Sequence, residues 1–246
     1  MKSMIYNNMD MYIDFKSDDK KEEVLDELLS NNKITFNSFD PVIICLDDFG
    51  LPNKKIKEGI SKVTLNTICK EYLYFSIAIN LIEKLKQDIE IDMLPRKDII
   101  LNKIKRQFLV SDKYDIKNYD ELLETLKESK DYYKEQYFSY TDTGNFNKDL
   151  KNIKIPYLYI EDFVNYFKKL ISNNSYICIL IDNKDDVNMT SKRCVNQLMD
   201  ENYEVPFTIK VLTSDNAWKN FDDLYGNYIE PVCATYEKNL VKKLSK

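Results

Sequence analysis

No histidine occurs in the 246 residues, and that absence alone removes a large share of enzyme chemistry. Serine and cysteine triads with an imidazole base, HExxH zinc sites and most catalytic zinc centres all need the residue. Glycine is nearly as scarce. Gly50, Gly59, Gly144 and Gly226 are the four present, and no two lie close together. Neither a GxGxxG dinucleotide loop nor a GxxxxGK[ST] phosphate loop can therefore be written anywhere in the chain. Arginine occurs only as Arg96, Arg106 and Arg193. Guanidinium forks suit bidentate grips on phosphates and base edges, so their scarcity argues against nucleic acid as a partner. The formal net charge of −5 and the lack of any basic block point the same way. Codon bias of an AT-rich genome, favouring Lys, Asn, Ile and Tyr, is enough to explain the skew.

The five cysteines, Cys45, Cys69, Cys178, Cys194 and Cys233, are odd in number and never spaced as CxxC. Four sit among apolar or helical neighbours, which predicts buried free thiols in a reducing compartment. No apolar run approaches the roughly 18 residues that span a bilayer, and the N-terminus has no continuous apolar core. A cytoplasmic protein without membrane contact is the expectation.

Against these absences stand an apolar fraction of 43% and an aromatic fraction of 13%, which argue for a packed globule. Residues 9–15 (MDMYIDF) predict a short strand, residues 22–30 a helix, and the run PVIICL from Pro41 a strand buried on both faces of a parallel sheet. From about 55 to 134 the pattern is helical. Ile60, Val63, Ile68, Tyr72, Phe75, Ile79, Ile82 and Leu85 recur at helical spacing, and further helices are predicted over 97–109 and 119–138. Residues 139–156 read as a loop, 161–171 as an amphipathic helix, and YICILID (176–182) as the second buried strand. Next come a helix over 190–200 and a strand over 206–215. The tail adds a turn at Gly226, a short strand at 228–229 and a helix from about 235. Alternating strands and helices predict one α/β domain over 1–246: three layers, a central mostly parallel sheet, and an inserted helical section at about 55–140. The runs 42–46 and 177–181 should be neighbouring parallel strands at the sheet centre.

The stretch YICILIDNKDDVNMTSKRCVNQLMDENYEVPFTIKVLTSD (176–215) resembles the Walker B to sensor-1 region of bacterial P-loop ATPases of the origin-recognition-like AAA+ class. The shared pattern is an apolar strand ending in acid, a helix with a central amide, and an FxIKxxT-like strand. The tail FDDLYGNYIEPVCATYEKNLV resembles the segment C-terminal to sensor 1 in that family, and residues 9–50 match it in the order strand, helix, strand. The resemblance implies a P-loop-NTPase-like fold, but its chemistry is degenerate. Where the family has a glycine-rich phosphate loop, this chain has residues 16–21 (KSDDKK). Asp18 and Asp19 stand where a triphosphate would sit, flanked by Ser17 and Lys20. The simpler reading of the same residues is an ordinary acidic helix start. Asp182 matches the magnesium-organising aspartate, and Asn183 replaces the glutamate that activates water; an amide cannot accept that proton. Thr213 or Ser214 falls at the sensor position.

The resemblance therefore implies a pseudo-ATPase with no cofactor that acts by binding a partner protein, of the kind found among accessory proteins of phage-defence or mobile-element systems. Two other readings stay open. Asp47, Asp48, Asp182, Asp185 and Asp186 follow strand ends, and a cluster such as Asp47, Asp182 and Asp185 could hold Mg²⁺ or Mn²⁺ for phosphoester hydrolysis. An interaction protein unrelated to ATPases is the third reading. The 18 tyrosines, clustered in YLYF (72–75), DYY (131–133) and YLYI (157–160), could then supply a binding face.

Overall fold

The computed structural model describes residues 41–88, 91, 94, 96–109, 116–147, 153–171, 176–182, 186–199 and 207–212, all within one compact unit, Pro41–Ile229. The elements expected at 9–15, at 22–30 and beyond 213 lie outside these residues. Described elements run in the order β1 (Pro41–Leu46), α1 (Lys62–Asp88), α2 (Lys97–Phe108), α3 (Tyr119–Thr143), α4 (Ile160–Ile171), β2 (Tyr176–Asp182), α5 (Met189–Met199) and β3 (Thr208–Leu212). The class is α/β.

The three strands form a parallel sheet in the order β1-β2-β3. Val42 pairs with Ile177, Ile44 with Ile179 and Leu46 with Ile181, while Ile179 and Ile181 pair onward with Ile209 and Val211. Paired residues in register share a face, so these aliphatic side chains make one continuous surface, and all of them belong to the hydrophobic core. The two apolar runs are neighbours and parallel, as their composition predicts. β2 is buried on both faces from Ile177 to Ile181. β1 departs from expectation: Ile43 is only half-buried and Cys45 is exposed. Its apolar run conceals an alternating burial pattern because it has one described neighbour where β2 has two.

α1 is the central element. Leu65, Ile68, Tyr72, Phe75, Ile79, Ile82 and Leu85 form one buried stripe, and Leu73, Ile77 and Leu81 fill the opposite side. A helix apolar nearly all round has to be enclosed, and α1 packs against β1, α3, α4 and α5. The helical section is thus part of the same core as the sheet. Two residues of the predicted stripe fall outside it. Ile60 precedes the helix, which starts only after Gly59 turns the chain at φ +82°. Val63 is 75% exposed, because two positions from Leu65 is about 200° around the helix axis.

α3 begins at Asn118, whose side chain accepts from the Glu121 N–H at 2.8 Å while the Glu121 carboxylate accepts from the Lys117 N–H at 2.7 Å. This reciprocal arrangement satisfies one donor of the first turn and one just before the N-cap. The helix runs on to Thr143, five residues past its predicted end, so residues 139–143 are helix and not loop. Tyr140 and Thr141 continue the buried stripe of Tyr133 and Tyr137. Gly144 then stops it in the left-handed conformation at φ +79°, its N–H donating to the Tyr140 carbonyl at 2.9 Å. Buried Thr125, Ser129 and Thr141 donate to carbonyls four residues back, which satisfies hydroxyls that would otherwise weaken the contact with α1.

Cys69, Cys178 and Cys194 are buried free thiols, as composition predicts, and burial pushes the Cys69 thiol up to about 12; Cys233 lies outside the described residues. Exposed Cys45 is the exception. Maleimide labelling of folded protein, mapped by mass spectrometry, should therefore modify Cys45 within minutes and leave Cys69 and Cys194 untouched until denaturant is added. Equal rates at Cys45 and Cys69 in native buffer would contradict this burial pattern.

Candidate functional site

The C-terminal edge of a parallel sheet is where α/β folds place their chemistry, and here the loop after β1 meets the turn after β2. Gly50 packs so closely on α5 that an added Cβ would lie 2.5 Å from Val187 Cγ1 and 2.8 Å from Ser191 Cβ; only glycine fits. The Leu51 N–H donates to Ser191 Oγ at 3.1 Å, and the Leu51 carbonyl accepts from both the N–H and the side-chain amide of Asn188 at 2.9 Å. Asn188 also caps α5, its Oδ1 accepting from the Ser191 N–H at 2.8 Å. Pro52 forms an antiparallel bridge with Val187, and the Pro52 carbonyl accepts from the Tyr137 hydroxyl at 2.7 Å. Phe49 and Leu51 are fully buried. Between β1 and β2 this edge is a packed joint.

Asp48 belongs to the joint. Its carboxylate accepts from the Tyr72 hydroxyl, with both oxygens within 2.9 Å, and from Lys130 Nζ at 3.0 Å. Lys130 also lies 4.8 Å from the centroid of the Tyr72 ring. Burial alone would raise the Asp48 carboxyl; the Lys130 charge and the two hydrogen bonds outweigh it and hold the group below the usual carboxylate range. Asp48 is thus tied to both α1 and α3. Its side chain stays 61% exposed, so solvent screening keeps this a modest interaction of about 1 kcal/mol or less.

The remaining residues of interest from sequence are described only in part. Asp47 and Asp186 are exposed, and the Asp186 carbonyl accepts from the Asn53 N–H. Asp182 ends β2 opposite Leu212, and nothing of its side chain falls within the described residues. Ser17, Asp18, Asp19, Lys20, Asn183, Asp185, Thr213 and Ser214 lie outside them. Among the described residues no group of three or more Cys, Asp or Glu is placed to hold a metal ion. No described helix is long and apolar enough to cross a membrane.

One charged residue on α1 was missed by motif reading. Glu71 is only 4% exposed and accepts from the Leu158 N–H at 2.9 Å, tying the 153–159 segment to the core helix. Beside it, the Tyr133 hydroxyl donates to the Pro156 carbonyl of the same segment. Burial pushes the Glu71 carboxyl up to about 7, with Glu161 adding to the rise while the Leu158 N–H and Lys70 pull the other way. The signal was there to read: Glu71 stands three residues after Ile68 and four before Phe75, on the apolar stripe itself.

Comparison of the chain with family models, curated proteins and solved structures yields no match.

Glu71 makes stability depend on pH with a definite sign. Its folded pKa of about 7 lies above the ordinary 4.5, so between those values the native state binds more protons than the unfolded chain. Its contribution is fully present below about pH 4.5 and declines as pH rises through 7. Glu71→Gln removes this dependence. Relative to wild type, the variant should gain on the order of 3 kcal/mol between pH 4.5 and pH 8, read from urea melts across that range. A difference that stays flat with pH would contradict a buried, titrating Glu71.

Proposed function

We propose that the chain is an ATPase-like scaffold that has lost nucleotide hydrolysis and acts by binding a partner protein. The observation that carries this reading is the packed joint at the sheet edge. Asp48, a strand-end acid, is ion-paired with Lys130 and hydrogen-bonded by Tyr72, and Gly50 is pressed against Val187 and Ser191. Among the described residues, no group of three or more acids is placed to hold the metal of a metal-nucleotide complex. Three parallel strands joined by helical crossovers support the scaffold half of the reading, since such crossovers are the hallmark of nucleotide-binding α/β folds. The sequence supplies the rest. A glycine-free 16–21 segment with Asp18 and Asp19 gives phosphates no backbone cradle, and Asn183 gives the attacking water no base. A protein that keeps the frame and drops these parts retains surfaces.

Titration calorimetry with Mg-ATP and Mg-GTP tests the loss directly. The expected result is no binding tighter than about 100 μM, roughly −5.5 kcal/mol, and no phosphate release. Saturable binding below that value, or turnover abolished by Asp182→Asn, would replace this reading with an active nucleotide enzyme.

A further inference from the structure

We infer that the face built by α2 and α4 docks an acidic, amphipathic helical segment of a partner protein; this rests on the partner-binding reading above and gives that partner a chemistry. The two helices are braced side by side. Gln107 Nε2 donates to Asp162 at 2.7 Å, Gln107 Oε1 accepts from the Tyr166 hydroxyl, and Lys103 Nζ lies 5.6 Å from the Tyr166 ring centroid. Above this brace opens a cleft of about 300 Å³ lined by Arg96, Ile99, Ile100, Lys103 and Lys169. Ile99 is 57% exposed in it, and beyond it Tyr159 is 62% exposed, its ring held beside Phe108. These two are among the few large apolar side chains left in solvent, and Tyr159 belongs to the YLYI cluster that the sequence marks as a candidate binding face. The YLYF cluster, in contrast, is core.

Charge selects the occupant. Three cations surround an aliphatic floor, and among the described residues no acid lines the cleft. The exposed acid of the first turn of α2, Asp98, is not part of the lining. Two of the three arginines, Arg96 and Arg106, flank α2 or lie on it, in a chain whose net charge is −5. Arg96, Ile99, Lys103 and Arg106 repeat at spacings of three and four, which places them on one helical face. The N-terminus of α2, where the N-cap residue Arg96 makes no side-chain cap hydrogen bond, adds positive potential at the Arg96 end. A helix that sets an apolar residue on Ile99 and carboxylates against the three cations matches this pattern.

Single-stranded nucleic acid fits less well. Stacking needs free aromatic faces, and Lys103 lies over the Tyr166 ring while Phe108 flanks Tyr159. An anionic bilayer is flat where this surface is concave. A second copy docked through the same patch would set like charges against each other.

The test uses the full chain and a synthetic acidic helix of about 15 residues, with leucines on one face and flanking glutamates. Fluorescence anisotropy should show saturable binding that weakens with salt. Affinity should fall about tenfold with Lys103→Glu, with Arg96→Glu and with Ile99→Asp, each fully folded by circular dichroism. Lys55→Glu, on exposed chain elsewhere, should leave it unchanged. The proposal is overturned if the peptide does not bind, if a Glu→Gln version binds equally, or if Lys103→Glu has no effect. Stronger binding to oligothymidylate or phosphatidylserine vesicles overturns it too, as does self-association of the chain that Lys103→Glu abolishes. A failed groove with Mg-ATP binding still absent discards this docking surface alone. Tight Mg-ATP binding discards the lost-hydrolysis reading, whatever the peptide does.

Discussion

The enclosure of α1 is the constraint on which the described structure depends. A helix carrying apolar residues around most of its circumference over four turns is insoluble alone and must find partners on every side. β1, α3, α4 and α5 supply them. Each fully buried Leu, Ile or Phe contributes about 1.5–3 kcal/mol relative to exposure, so no single cap or ion pair among the described residues competes with their sum. The polar contacts of the joint act within that frame. Asp48 reaches Tyr72 on α1 and Lys130 on α3, and Leu51 reaches Ser191 and Asn188 on α5. They fix the register in which helices and strands meet.

Glu71 works against the enclosure. A carboxylate on the buried stripe pays desolvation for its single described hydrogen bond to the 153–159 segment. That segment carries Tyr157 and Tyr159 to the surface and leads into α4, one wall of the docking face. The buried acid therefore ties the core helix to the surface where a partner is proposed to sit: the Leu158 N–H favours the ionised carboxylate, and burial opposes it.

How much was legible in the sequence depends on which forces are local. The two apolar runs declared themselves as neighbouring parallel strands, because side chains buried in a sheet core need no partner of specified sequence. The stop of α3 at Gly144 was misjudged because Tyr140 and Thr141 look like loop residues until their stripe is extended from Tyr133. The half-exposure of β1 was invisible, since an apolar run reads the same whether or not its outer face is covered. Of the candidate site, strand-end aspartates were easy to find and their fate was not. Whether Asp48 faces open solvent or is taken by Lys130, 82 residues away, depends on long-range packing that no local pattern encodes. The cleft at Ile99 left a faint trace, two arginines ten residues apart in a chain with almost none.

Sheet and helical section are one cooperative core organised by α1, and native-state hydrogen exchange followed by mass spectrometry tests this most directly. Amides of α1 between 68 and 82 should fall in the slowest class with those of β2, their opening free energies agreeing within about 1 kcal/mol and shifting together when denaturant is added. If α1 and α3 open together at a free energy several kcal/mol below β2, the helical section is an independent subdomain and the central claim fails.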